Sequence, residues 1–133
     1  MEKPIGCVVI LINDACQVLL VLRDDKPTIP FPNTWNLPGG FLDGTETPTA
    51  CIRREMIEEI EIDLGEPELF RYYQWPDCDE YIFWKKLNLD LAQVTLNEGQ
   101  KLAYFSLEQI RRTQLAFECN QIAEDFFAEM MSA

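Results

Sequence analysis

Three glutamates, Glu55, Glu58 and Glu59, stand at i, i+3 and i+4 in a stretch, Thr49 to Ile60, that repeats with helical period. Side chains at those spacings are neighbours on a helix surface, and like charges there repel by about 0.2–0.5 kcal/mol per pair. A divalent cation between the carboxylates would remove that cost. An oxygen-only donor set suits a hard ion such as Mg²⁺ or Mn²⁺. The alternative is a solvated acidic face. Two features favour the metal. The acids lie past the middle of the helix, where the positive end of the helix dipole gives no help. The preceding Leu37-Pro38-Gly39-Gly40 turn is suited to bringing backbone close to a ligand. The chemistry implied is that of phosphate.

The helix that carries these acids has its own signals. Thr47 is an N-cap residue, and Pro48 sits at the first helical position, where its missing N–H costs nothing. On this reading Ala50, Ile52, Met56, Ile57 and Ile60 form the arc that faces the core, with the glutamates on the opposite arc.

The segment Gly39–Ile62, GGFLDGTETPTACIRREMIEEIEI, resembles the signature of the Nudix (MutT-type) hydrolase family, G-x5-E-x7-R-E-U-x-E-E-x-G-U with U bulky and apolar. Gly40, Glu46, Arg54, Glu55, Met56, Glu58, Glu59 and Ile62 fill the pattern, and Glu61 stands where the family has glycine. That glycine ordinarily ends the helix in a left-handed conformation, so a glutamate there costs about 1 kcal/mol or shifts the cap. The resemblance implies an α/β fold with a mixed β-sheet sandwiched between helices. It implies Mg²⁺- or Mn²⁺-dependent hydrolysis of a pyrophosphate bond in a nucleoside diphosphate linked to a group X. Nucleoside triphosphates, oxidised purine nucleotides among them, are the leading substrate class. ADP-ribose or another nucleotide sugar is the runner-up, and a non-catalytic nucleotide-binding module is the rival from another class.

By position, the resemblance makes Glu58 and Glu59 the principal metal ligands, with Glu55 and the Gly39 carbonyl as further ones. Arg54 orients a box glutamate. Glu46 braces the loop or reaches the metal through water, and counts among the substrate-binding candidates. The later segment NEGQKLAYFSLEQI resembles a family element whose glutamate joins the metal or acts as base, which maps onto Glu98; the alternative is an exposed loop acid. The general base stays open between Glu55 and Glu98. Arg23, at a strand end, and Asn120, near the place where some relatives read a purine, are substrate-contact candidates. A surface strand end and a helix cap are their alternatives. Dimers are common among such proteins.

The remaining elements follow from periodicity and turn chemistry. Ile5–Ile12 is an unbroken apolar run and reads as a buried strand. Gln17–Leu22 reads as its hairpin partner across Asn13-Asp14-Ala15. Asp24–Asn33, with Pro27, Pro30 and Pro32, is a stiff rim loop. Leu69–Trp75 and Glu80–Leu91 read as two long strands, and Lys101–Phe105 as a further one. Ser106 with Gln109 makes a capping box, and Asn120–Met131 an amphipathic closing helix. Trp35 reads as core or base-stacking, and one or two of Tyr72, Tyr73, Trp75, Tyr81, Phe83 and Trp84 as a base platform.

Composition bounds the partners. The 133 residues suffice for one domain, residues 1–133, and 47% apolar content argues a packed core. A net charge of −12 argues against nucleic acid polymers and for a small-molecule nucleotide admitted by bound metal. No apolar run reaches the length of a membrane span. The start MEKPIGCVVILIN carries no evident secretory leader. Five scattered cysteines without a CxxC, and no histidine, point to reduced core thiols in a cytoplasmic protein and exclude histidine acid–base chemistry.

Overall fold

The computed structural model describes residues 3–131. Its hub is strand β1, Ile5–Ile12. A strand with apolar residues at every position must be covered on both faces, and the packing shows this with period two. Val8, Ile10 and Ile12 enter one cluster with Leu115, Cys119, Ile122 and Phe126. Cys7, Val9 and Leu11 enter a second, with Cys51, Ile52, Met56 and Ile60. The first cluster lies under helices α2, Leu107–Arg111, and α3, Cys119–Met130. The second lies under α1, Pro48–Ile60. The result is a mixed sheet between helices, as the resemblance implied.

Along one edge β1 runs parallel to β6, Asp79–Lys86, over its full length. Its other edge is shared. Gly6–Val8 pair antiparallel with β4, Gly39–Phe41, while Ile12 pairs with Val18 of β2, Val18–Leu22. Strand β2 then pairs with β3, Trp35–Asn36, and along all five residues with β7, Lys101–Phe105. Strand β5, Glu68–Gln74, closes the far edge against β6.

The hairpin expected between the first two strands is present, but its principal ladder is β2 with β7, a contact that local pattern does not announce. The strand expected over Glu80–Leu91 ends at Lys86, because its parallel partner ends at Ile12. Beyond it the chain turns through a 3-10 turn, Leu91–Gln93, capped by Asp90. Cys7, Cys51 and Cys119 are buried, whereas Cys16 is exposed, so that one thiol is not a core group. No helix among the described residues is long and apolar enough to cross a membrane.

Candidate active site

Helix α1 begins as its sequence directs: the Thr47 side chain accepts from the Ala50 N–H, with Pro48 in the first turn. Its orientation differs from the expected arcs. Cys51, Ile52, Met56 and Ile60 are buried, while Ala50 faces solvent and Ile57 is 49% exposed. Steps of roughly 100° per residue set Glu55 and Glu59 beside Cys51 and Ile52, and set Ile57 on the far side. Two of the three box acids therefore flank the core face, partly withdrawn from water, and Glu58 points outward.

Glu59 is the deepest of them. Burial first, then the facing Glu98 and Glu55 carboxylates, push its pKa up to about 8, against a hydrogen bond from the Gly39 N–H that favours the charged form. Its Oε2 is buried with no hydrogen-bond partner. Burial likewise raises Glu55, opposed by Arg54.

Arg54 organises the neighbouring acids. Its Nε and Nη2 donate to the two oxygens of Glu46 at 3.0 and 2.6 Å, a bidentate pair. Its Nη1 donates to Glu55 at 2.9 Å and to Glu58 at 3.2 Å, and its Nη2 also reaches the Phe41 carbonyl at 3.2 Å. Glu46 takes a further N–H from Asp43, and these bonds, the Arg54 fork foremost, pull its pKa down to about 2. Gly40 packs so closely on this group that a Cβ there would overlap the Glu55 carboxylate.

Glu98 arrives from the other side of the chain. Asn97 ties its loop to the end of α1: the Asn97 N–H donates to the Glu59 carbonyl at 2.8 Å, and its Nδ2 to the Glu58 carbonyl and the Glu61 carboxylate. The two carbonyls are backbone acceptors a helix end leaves free. Gly99, at φ 93°, then presses on Val21 and the Leu22 carbonyl where a Cβ would not fit. The loop is thereby held against β2, and Glu98 enters a cleft of about 190 Å³ lined by Val21, Arg23, Asp24, Ile29, Asn36, Gly39, Glu59, Glu98 and Gly99.

The structure thus gathers Glu55, Glu59, Glu98 and Gly39 at one part of the site, with Arg23 on the same cleft. Glu58 is exposed and turned to Arg54, and among the described residues no three acids or thiols stand in ready-made metal geometry. The donor chemistry nevertheless fits a hard divalent ion: all oxygen, with one buried carboxylate oxygen that lacks a partner. Two substrate candidates stand elsewhere. Both Glu46 oxygens are engaged by Arg54. Asn120 lies inside the first turn of α3, not at its cap, and its amide clasps the end of α2 and the loop after it: it accepts from Leu115 N–H and donates to the Ile110 and Thr113 carbonyls. The aromatics of β5 and β6 do not line the cleft. Tyr73 stacks on Trp75, while Tyr72 with Tyr81 and Trp35 with Phe105 make tilted ring contacts. Sequence reasoning passed over Asn97 and Gly99. Their signal was an Asn-Glu-Gly tripeptide.

Glu61 occupies the left-handed conformation, φ 57° and ψ 36°, with its N–H on the Ile57 carbonyl. This is the glycine-type helix end, held here by a glutamate. Relief of a left-handed cost of roughly 1–2 kcal/mol, less an exposed hydrogen bond from Asn97 of about 0.5 kcal/mol, makes Glu61→Gly stabilising by about 0.5–1.5 kcal/mol. Urea midpoints measure it. An unchanged or lower midpoint would show that the Asn97 bond outweighs the backbone strain.

Comparison with known proteins bears on the family and the fold. The NUDIX domain family model matches residues 2–126. A protein of Bacillus subtilis (strain 168), described provisionally as an 8-oxo-dGTP diphosphatase, is 35% identical over 103 residues, covering 76% of this chain and 65% of its own. The ADPR responsive transcriptional repressor NtrR of Acinetobacter baylyi (strain ATCC 33305 / BD413 / ADP1) is 25% identical over 122 residues, 86% of this chain and 48% of its own. The chain thus spans about two thirds and about half of these two curated relatives. The crystal structure of the MutT protein from Methanosarcina mazei Go1 superposes with a TM-score of 0.77 at 22% identity, covering 99% of each chain. A family model matched over nearly the whole chain, and a fold shared from end to end, place this chain in the NUDIX family.

Proposed function

We propose that this protein hydrolyses a pyrophosphate bond of a nucleoside diphosphate linked to a group X, with nucleoside triphosphates as the substrate class. The observation that carries the reading is the buried, partnerless oxygen of Glu59 beside Glu55 and Glu98, on the same cleft as a cationic Arg23. Glu59, Glu55, Glu98 and the Gly39 carbonyl would hold Mg²⁺ or Mn²⁺, and Glu58 would join once it leaves Arg54. A divalent ion bound there supplies charge neutralisation and orientation for the phosphates and the attacking water. Arg54 keeps Glu55 and Glu46 in position. Glu98, exposed on the cleft, and Glu55, held by Arg54, share the candidacy for taking the proton from water. The relation to the Bacillus subtilis protein supports a triphosphate substrate.

The relation to an ADPR responsive repressor supports a second reading, in which ADP-ribose is hydrolysed or only bound. Retention of Glu46, Arg54, Glu55, Glu58 and Glu59 favours the enzyme over the sensor. The test is release of phosphate or pyrophosphate from nucleoside triphosphates and oxidised purine triphosphates, and of the nucleoside monophosphate from ADP-ribose and nucleotide sugars, with Mg²⁺ or Mn²⁺. We expect turnover that EDTA removes, with at least one triphosphate preferred over ADP-ribose by about tenfold or more in kcat/KM. The reverse ranking assigns the second reading. No turnover, with ADP-ribose raising the melting temperature, assigns the binding module.

A further inference from the structure

The one departure from the family signature stands directly beside the site. Glu61 holds φ 57° and ψ 36°, the left-handed conformation that a glycine adopts without strain. Strain of that kind persists only where surrounding contacts hold it. Here the Glu61 carboxylate accepts from the Asn97 Nδ2 at 3.0 Å. An acid at the C-terminal end of a helix is disfavoured by the helix dipole, so charge does not account for Glu61 and the hydrogen bond does.

Asn97 grips the end of α1 by three bonds. Its N–H donates to the Glu59 carbonyl at 2.8 Å, and its Nδ2 also donates to the Glu58 carbonyl at 3.1 Å. Those two acceptors are main-chain atoms that any sequence presents. Of the three, only the bond to Glu61 depends on a side chain of the helix end, and glycine there removes it. The residues after Glu98 are fixed on the opposite side. Gly99 presses on Val21 and the Leu22 carbonyl. The Gln100 N–H donates to the Leu22 carbonyl, and its Nε2 to the Arg23 carbonyl and the Asn33 side chain, each at 2.8 Å. Glu98 thus lies between a clasp on α1 and a clasp on β2, and it faces Glu59 in the cleft. Electrostatics oppose this placement: Glu55, Glu59 and Glu98 repel one another until a cation neutralises them. The clasp on α1 bears directly against that repulsion, because Asn97 holds the same helix end that carries Glu59.

We propose that Glu61 and Asn97 are positioning residues for the candidate metal site: by clasping the loop to the end of α1, they hold Glu98 opposite Glu59 before a cation arrives. The proposal rests on the metal-dependent hydrolase reading above and adds the residues that preorganise Glu98. The strain at Glu61 is kept for function, and glycine gives the more stable fold but the poorer site.

The test uses Glu61→Gly, Glu61→Gln, Asn97→Ala, Glu98→Gln and the Glu61→Gly/Glu98→Gln double variant. Two quantities are read. One is hydrogen exchange at the residue 97 amide in metal-free protein, taken relative to amides of β1 so that core stability is referenced out. The other is the Kd for Mn²⁺ alone. Glu61→Gly should speed that exchange about tenfold and raise the Mn²⁺ Kd about tenfold, and Asn97→Ala should match or exceed the rise in Kd. Glu61→Gln keeps an acceptor and should stay within about threefold of wild type in both. Because the clasp acts through Glu98, Glu61→Gly should shift Kd by no more than about twofold when Glu98→Gln is already present. Unchanged exchange or an unchanged Kd in Glu61→Gly overturns the clasp and leaves the hydrolase reading standing. So does a Glu61→Gln variant as weak as Glu61→Gly, which assigns the effect to charge. A full Glu61→Gly loss in the Glu98→Gln background assigns it to the helix end itself and also overturns the clasp. With every shift as expected but no nucleotide turned over by wild type, the clasp stands and the hydrolase reading falls. A wild type that binds no Mn²⁺ overturns both.

Discussion

Glu59→Gln is expected to abolish most turnover and yet to make the metal-free protein more stable. The two effects share one cause. The Glu59 carboxylate is buried among Glu55 and Glu98 with one oxygen unpartnered, an arrangement that penalises charge until a cation is present. Removing a group that stabilises charge at a reacting centre costs about 10²–10³-fold in rate, and kcat/KM should fall by that amount with Mg²⁺ at saturation. Stability moves the other way. The folded-state pKa, about 8, lies above the ordinary 4.5. The protonated side chain is therefore fully accommodated below about pH 4.5, and the unfolded state ionises first as pH rises. Wild-type stability is lost progressively from there up to pH 8 and levels off above it. A neutral glutamine escapes this penalty, worth about 2–4 kcal/mol once coupling among the three acids is discounted. In EDTA at pH 8 the variant should melt several degrees higher than wild type, and near pH 5 the difference should shrink. Mg²⁺ should raise the wild-type melting temperature and leave the variant nearly unmoved. A variant less stable than wild type in EDTA at pH 8 would show that the carboxylate is a net structural contact, contrary to this account.

The two adjacent glycines of the turn should fail in different ways. A Cβ on Gly39 would meet the Cys7 carbonyl and the Val8 Cα, main-chain atoms of the hub strand that are fixed on their other edge by β6. Nothing there can yield, and Gly39→Ala should cost about 3 kcal/mol or more. A Cβ on Gly40 would meet the Glu55 carboxylate, the far end of a side chain that can rotate. Gly40→Ala should therefore keep its stability within about 1 kcal/mol. The displaced carboxylate, shifted by an ångström or so, should lower kcat/KM about a hundredfold. Guanidinium midpoints and steady-state kinetics on both variants separate the two roles. A stable, active Gly39→Ala, or an active Gly40→Ala, would break the assignment for that residue.

Much of this was legible because the signals were local. Thr47 and Pro48 announce the start of α1, Ser106 and Gln109 that of α2, and the apolar run of β1 its double-sided burial. The spacing of the glutamates named the site. What the sequence hid was mostly tertiary. Ile57 and Ala50 read as core residues by type, yet Cys51 takes the buried position, because the helix rolls to tuck Glu55 and Glu59 toward the cleft. The end of β6 is set by where β1 stops, some seventy residues earlier in the chain. The Asn97 anchor and the Phe31–Phe117 contact join segments far apart in sequence, and no periodicity encodes them. Asn120 was readable as a polar residue near a helix start, but its three backbone partners lie in the last turn of α2 and the loop after it, whose path only the fold defines.

The parallel pairing of β1 with β6 also governs how the chain can be assembled on a ribosome. Strand β1 waits for residues 79–86 before one of its edges can close, and the face that packs on Ile122 and Phe126 of α3 waits longer, although α1 can cover the other face sooner. Contacts of such long sequence separation slow folding, and an emerging strand apolar at nearly every position is open to wrong partners in the meantime. Synthesis of this domain thus leaves one face of its most sheet-prone segment uncovered until α3 is made, so chaperone demand during translation should fall on residues 5–12.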